Sequence, residues 1–327
     1  VSNKVVIFGP WVGEFSFEIS WWMPEIRLLR NTKYKDYHAI HVGYLGRKGL
    51  YKDFIDEYIP FDDEINNEIK FWMPDCYLVR DEKDSRSGIN MPVSVGVLFE
   101  DIKLELEEKY DVVEVVTPLD NPIIGDRCRE ENPIGEYKHL SVNPTVDEKV
   151  KKDLQVFDND RDTVCVMARS RTRFGEVDGE TWNPDNWGLF VYKLVNELNV
   201  NVVMMGIPEQ RNYPGSLAFE DSEYIKSFVF EGEDSIDYQI SLLKNTKCSI
   251  YGASGAVTLT FFTDTPVFTQ QSKENGNRLN FKWQKSLTNS HKSVKLFDKY
   301  SMGELYDSPV QELFDEFKEF YKGLDNE

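Results

Sequence analysis

The sequence predicts an α/β chain built as two doubly wound, Rossmann-like domains. Three observations carry this expectation. Short apolar, β-branched runs alternate with helical stretches, the pattern of a mostly parallel sheet flanked by helices. The alternation restarts after a stretch rich in proline and glycine. The chain has 327 residues, whereas one hydrophobic core usually serves about 100–200.

The elements follow in order. The run Val5-Val6-Ile7-Phe8 reads as a strand closed by Gly9-Pro10. A glycine-containing loop and a helix over 15–30 come next, then a strand over 38–42. Helices are predicted over 52–58 and 97–109, and a strand over 112–116. Residues 118–162 hold Pro118, Pro122, Pro133, Pro144, Gly125 and Gly135 in polar surroundings. They read as the inter-domain region, closing with a helix over 146–156 and a turn at Asp158-Asn159-Asp160. In the second half, strands are predicted over 163–168, 200–205, 248–251 and 266–269, and helices over 186–198, 235–244 and 256–263. Asn183-Pro184-Asp185 supplies the cap signals of the first of these helices. The last element is an amphipathic helix over 309–322, with Val310, Leu313, Phe314, Phe317 and Phe320 on one face. The predicted domains are 1–155 and 156–308, followed by a C-terminal helix in 309–327.

Composition narrows the function classes. The chain is 40% apolar and 13% aromatic, ample material for two cores. Its net charge of −19 repels nucleic acid and anionic lipid at long range. Because salt screens fields beyond about 8–10 Å, a local basic pocket is still compatible with that charge. Cys76, Cys128, Cys165 and Cys248 form no C-x-x-C pair and read as free thiols of a reducing compartment. No apolar run approaches the roughly 18 residues of a membrane span. With no signal-peptide pattern at the N-terminus, a cytoplasmic location is expected.

Three segments carry candidate chemistry. The first is Gly252-Ala253-Ser254-Gly255, lying between a predicted strand and a predicted helix. Glycine permits a sharp turn, and the unpaired N–H groups at a helix start favour an anion. Ser254 and Thr258 add hydroxyls, so a diphosphate would fit; a plain tight turn is the alternative. The second is Arg169-Ser170-Arg171-Thr172-Arg173, at the carboxyl end of a predicted strand, where open α/β sheets bind ligands. Arginine pairs bidentately with phosphate; a solvated charged loop is the alternative. The third is Gly9-Pro10-Trp11-Val12-Gly13-Glu14, which is not G-x-G-x-x-G and so argues against a dinucleotide fingerprint. It puts Glu14 beyond the first strand, where a general base would face a cleft, or where an acid would complement a helix dipole. Glu18 is expected on a solvated face. His41 and the cluster Trp11, Phe15, Phe17, Trp21 and Trp22 are expected to be structural.

Taken in this order, the segments resemble the heptosyltransferase-like branch of the GT-B glycosyltransferases. In that family an acid in the first glycine loop serves as base, followed by a helix with Pro and Arg, here Glu14, Pro24 and Arg27. The basic loop, a Trp-Pro stretch and a strand ending in glycine are similar to Arg169–Arg173, Trp182-Asn183-Pro184 and Val202 to Gly206, with Glu209 following. The family's Asp-Ser-Gly, helix and Thr-Pro are similar to Ala253-Ser254-Gly255, 256–263 and Thr265-Pro266. This sequence departs in having Glu for Asp, Arg for Lys, and Ala253 for the acid before Ser-Gly.

The resemblance implies two domains facing a cleft, with the C-terminal helix packing back on the first. It implies a nucleotide-sugar donor, an acceptor hydroxyl, no cofactor and no bound metal. Glu14 is the implied base. Arg169, Arg171, Ser254, Gly255, Ala256 and Thr258 are implied to bind the diphosphate, and Gly13, Gly206 and Glu209 to line the nucleotide cleft. The acceptor is expected to be a glycan or small molecule rather than DNA. Other tasks on the same scaffold are a nucleotide-sugar epimerase or hydrolase, a DNA-modifying glycosyltransferase, and a non-catalytic binding protein.

Overall fold

The computed structural model describes residues 3–12, 15, 18–69, 92–118, 140–169, 172–173, 176–177, 181–206, 219–229, 232–252, 254–274 and 294–326. The chain divides into two compact units. One is Val1–Lys138 with Arg211–Tyr213 and Gly232–Ile236; the other is His139–Gln210 with Pro214–Glu231 and Asp237–Glu327.

In the first unit, β1 (Lys4–Phe8), β2 (His38–Gly43), β3 (Glu57–Pro60) and β4 (Val112–Val116) form a parallel sheet in the order β3-β2-β1-β4. The uninterrupted apolar run of β1 suits its central place, where both faces are covered. The helix expected over 15–30 is built in two parts, a π-helical stretch Glu18–Trp22 and then α1 (Met23–Asn31). Pro24 lies in the first turn of α1, where a missing N–H costs nothing. Helices α2 (Asp63–Ile69) and α3 (Val93–Glu107) complete the described helices of this unit.

The helix expected over 52–58 is not formed. A 3-10 turn at Lys48–Leu50 leads instead into β3. The spacing of Phe54, Ile55 and Tyr58 mimics one helical turn, but pairing with β2 decides the outcome. Asp56 exchanges two hydrogen bonds with Ala39, its N–H donating to the carbonyl at 2.9 Å and its carboxylate accepting the N–H at 2.7 Å. Docked there, the following residues continue the ladder.

In the second unit the strands are β5 (Thr163–Met167), a small antiparallel hairpin β6 (Thr172–Arg173) and β7 (Glu176–Val177), then β8 (Asn201–Gly206), β9 (Ile225–Val229), β10 (Cys248–Tyr251), β11 (Val267–Gln270) and β12 (Val294–Phe297). Six of them make a parallel sheet in the order β12-β11-β10-β5-β8-β9. The sequence pattern does not announce β9 and β12. As outer strands they mix lysine and serine with apolar residues, and neither reads as a buried run.

Helix α4 (Pro144–Leu154), which the sequence expectation placed in a first domain ending at 155, belongs by its contacts to the second unit. Its start docks on α6 (Ser235–Lys244). Asp237 accepts the N–H of Asn143 at 3.0 Å, and Ser241 donates to Asp147 at 2.6 Å. Helix α5 (Pro184–Glu197) begins where the cap signals predict, with the Asn183 side chain accepting the Asp185 N–H at 2.9 Å. After β10 a 3-10 helix, Gly255–Phe262, replaces the expected α-helix. The hydroxyls of Thr258 and Thr260 donate back to the carbonyls three residues earlier, at 2.7 and 2.6 Å, which favours the tighter winding. A short α7 (Met302–Leu305) precedes α8 (Val310–Gly323).

Helix α8 was expected to pack back on the first domain. Its apolar face, Leu313, Phe314, Phe317 and Tyr321, is buried in the second unit's own core with Phe190, Leu194 and Phe268. Phe317 meets the rings of Phe190 and Phe268 at 5.9 and 5.4 Å. Such a stripe of aromatics goes to whichever apolar surface is nearest in the chain's own fold, and β11 and α5 supply it.

Candidate functional site

In the second unit, β5 holds β8 and β9 on one side and β10, β11 and β12 on the other. The chain therefore changes direction across the sheet between β5 and β10. Such a switch point opens a crevice at the carboxyl ends of the strands, where ligands of open α/β sheets bind. Arg169 follows β5 and the Gly252–Gly255 turn follows β10, so the topology brings these two predicted segments to one place.

The described contacts are close. Tyr251 pairs with Met167, and the Gly252 N–H donates to the Met167 carbonyl at 3.1 Å. A Cβ on Gly252 would lie 3.0 Å from Trp187 Cζ2, 3.1 Å from Arg169 Cβ and 3.3 Å from Arg169 N. A side chain at 252 would require the arginine or the indole edge to give way by a few tenths of an ångström. Arg169 is buried at 4% exposure. Ser254 accepts the Ala256 N–H at 3.1 Å and directs its hydroxyl at the Met167 sulfur, 3.9 Å away. Thr258 is buried, its hydroxyl held by the Gly255 carbonyl. Of the predicted diphosphate donors, the Ala256 amide and the Thr258 hydroxyl thus serve the turn itself. Gly206 ends β8, on the other flank of β5. Arg171, Glu209 and Ala253 lie outside the described residues.

In the first unit, β1 separates β2 and β3 from β4, so the loop after β1 also leaves from a switch point. Gly9 has φ +118°, and a Cβ there would stand 2.6 Å from the Val42 carbonyl oxygen, so only glycine fits. Its N–H donates to Val116 at 3.0 Å, and that of Trp11 to Val42 at 3.3 Å. Gly13 and Glu14 lie outside the described residues.

Glu18 is the correction here. Expected on a solvated face, it is fully buried. Arg47 donates to one carboxylate oxygen, and the Tyr51 hydroxyl donates to the other at 2.7 Å. The Arg47 guanidinium lies between the rings of Phe15 and Tyr44, 4.6 and 4.7 Å from their centroids. Burial raises the Glu18 carboxyl above its ordinary value of 4.5, outweighing the attraction of Arg47 and the hydrogen bonds from Tyr51 and Arg47. His41 accepts from Trp22 Nε1 at 3.0 Å and stacks on Tyr51 at 3.9 Å. Burial lowers its pKa to about 3, so it is neutral at physiological pH. His41, Trp11, Phe15 and Trp22 are core groups, as expected. Arg27 pairs with both oxygens of Asp53, at 2.6 and 3.0 Å, which gives it a structural task.

Sequence reasoning missed the Glu18, Arg47 and Tyr51 group because its members are separated by up to 33 residues and follow no motif. The available signal was local: Glu18 stands between Phe17 and Ile19 in a stretch rich in aromatic residues. Among the described residues, no three His, Cys, Asp or Glu side chains gather as a metal site would require. Likewise, no described helix is long and apolar enough to cross a membrane.

No family model matches this sequence, and no curated protein matches it. Solved structures do. The fold is similar to that of the ADP-heptose LPS heptosyltransferase II of E. coli, at 13% identity over 98% of this chain and 99% of that one, with a TM-score of 0.55. It is also similar to a glycosyl transferase family 9 structure from Veillonella parvula DSM 2008, at 10% identity over 99% of both chains, with a TM-score of 0.53. The solved neighbours are heptosyltransferases and family 9 glycosyltransferases of the GT-B fold, the branch that the sequence resembles. At these identities the likeness is one of fold.

Proposed function

We propose that this chain is a glycosyltransferase that moves a sugar from a nucleotide-sugar donor to an acceptor hydroxyl without a bound metal. The observation that carries the proposal is the convergence of buried Arg169 and the Gly252–Gly255 turn at the carboxyl ends of neighbouring strands. An arginine beside a turn that opens a helix is an arrangement for a diphosphate. Arg169 and Arg171 would neutralise the departing diphosphate, helped by the amide of Gly255 and the hydroxyl of Ser254. Ala256 and Thr258 would hold that turn in shape. Gly206 and Glu209 would line the nucleotide side. Glu14, in the loop after β1 with Gly13, would take the acceptor proton. The acceptor oxygen then bonds to the anomeric carbon while the carbon–oxygen bond to the diphosphate breaks, the electron pair leaving with the diphosphate. General-base help of this kind contributes about 10²–10⁴-fold.

Thermal melts against ADP, UDP, GDP, dTDP, CMP and NAD test the donor side. ADP comes first because the E. coli neighbour is named for ADP-heptose. A ligand at about 100 times its Kd adds about 2.7 kcal/mol, which raises the midpoint by roughly 5–10 °C. The expected result is a shift with one nucleoside diphosphate, lost in Arg169→Ala. No shift with any diphosphate, or a shift with NAD alone, would sink the proposal.

A further inference from the structure

Trp187, on α5, reaches the point where Arg169 and Gly252 meet. Its Cζ2 atom lies 3.0 Å from the place a Cβ on Gly252 would take, and Arg169 Cβ lies 3.1 Å from the same place. The indole is fully buried and is held from behind. Trp182 meets it edge-on with ring centroids 5.0 Å apart, and Phe190 does so at 5.9 Å. The start of α5 is tied in turn to the stretch that leads into α8. Trp182 Nε1 and Asn186 Nδ2 both donate to the Ser308 carbonyl, at 3.0 and 3.2 Å, and the Asn183 N–H donates to the Tyr306 carbonyl at 3.0 Å.

The Trp187 indole N–H is buried and has no hydrogen-bond partner among the described residues. An unpaired buried donor destabilises a fold, and a purely apolar ring would fill the core without one. What the indole adds over a phenyl group is its second ring, whose Cζ2 reaches Gly252. We infer that Trp187 is a positioning residue, which together with Gly252 fixes the base of the Arg169 side chain so that its guanidinium meets the diphosphate. It acts through Arg169, without touching the ligand. This rests on the glycosyltransferase reading for the diphosphate, though not for the packing.

The test compares the unmodified chain with three variants. Trp187→Phe removes the ring that reaches Gly252. Trp187→benzothienylalanine keeps the shape of the indole and replaces its N–H by sulfur. Phe317→Leu loosens the same core through Phe190 and Phe268. Titration calorimetry gives the Kd of ADP, UDP and GDP, and phenylglyoxal labelling read by peptide mass spectrometry gives the rate at which Arg169 is modified. In Trp187→Phe the Kd of the diphosphate that binds the unmodified chain should rise by about tenfold, the loss of one charge-assisted hydrogen bond. Labelling of Arg169 should quicken by about the same factor, a local loosening rather than a global one. The other two variants should keep that Kd within about twofold, although Phe317→Leu lowers the melting midpoint. An unchanged Kd in Trp187→Phe, or an equal loss in Phe317→Leu, would overturn the inference. So would an equal loss with benzothienylalanine, which would mean that the N–H itself bonds the ligand. If the unmodified chain binds no diphosphate, the transferase reading fails; quicker Arg169 labelling in Trp187→Phe then still supports the positioning, and unchanged labelling overturns it.

Discussion

Replacing Gly252 by alanine should destabilise the chain, and the structure sets the amount. The added Cβ would stand 3.0 Å from Trp187 Cζ2 and 3.1 Å from Arg169 Cβ, inside the ordinary contact range. Neither neighbour is the loose end of an exposed chain, since Trp187 is fully buried and the Arg169 atom is next to the backbone. Overpacking of this kind costs about 1–3 kcal/mol, and the stiffer unfolded chain returns about 0.4–1 kcal/mol. The balance, about 0–2.6 kcal/mol, lowers the midpoint of a unit this size by at most roughly 10 °C. Gly188 is the control. It lies inside helix α5, and its added Cβ would meet only Phe219 at 3.7 Å, an ordinary contact. There the same substitution should stabilise by about 0.5–1 kcal/mol, because helical glycine is entropically costly. Calorimetric melts of the two variants decide the matter. A Gly252→Ala chain stabilised as much as Gly188→Ala would refute the packing described around the turn.

Two further outcomes follow from the described packing. Phe317→Ala should cost about 3–5 kcal/mol in urea unfolding, because the ring is fully buried between Phe190 and Phe268; a loss below about 1 kcal/mol would contradict α8 as part of the core. Glu18 gives a pH dependence of definite sign. Its folded pKa is raised above 4.5 by burial, so the folded chain binds that proton more tightly than the unfolded one. The resulting stabilisation is complete below 4.5 and is lost as pH rises through the folded value. Stability of the unmodified chain minus that of Glu18→Gln should therefore fall with rising pH above 4.5, and a difference that rises over the same window would show that the carboxyl is not desolvated.

What the sequence determined by itself was the local grammar. The run Val5 to Phe8 is a continuous apolar strand because both faces of a central parallel strand are covered. Asn183 was legible because a helix cap demands a particular residue type. The tertiary structure decided what depends on partners far along the chain. Residues 57–60 became a strand through pairing with β2, against their helical spacing. Helix α8 joined the second unit's core, because an aromatic stripe specifies burial but not the surface that buries it. Arg169 and the Gly252 turn are 83 positions apart in sequence, and it is the adjacency of β5 and β10 that joins them. Glu18 carried only the weak local mark of its apolar neighbours Phe17 and Ile19. A charged side chain reads as solvated until its counter-ion is known, and Arg47 is brought to it only by the fold.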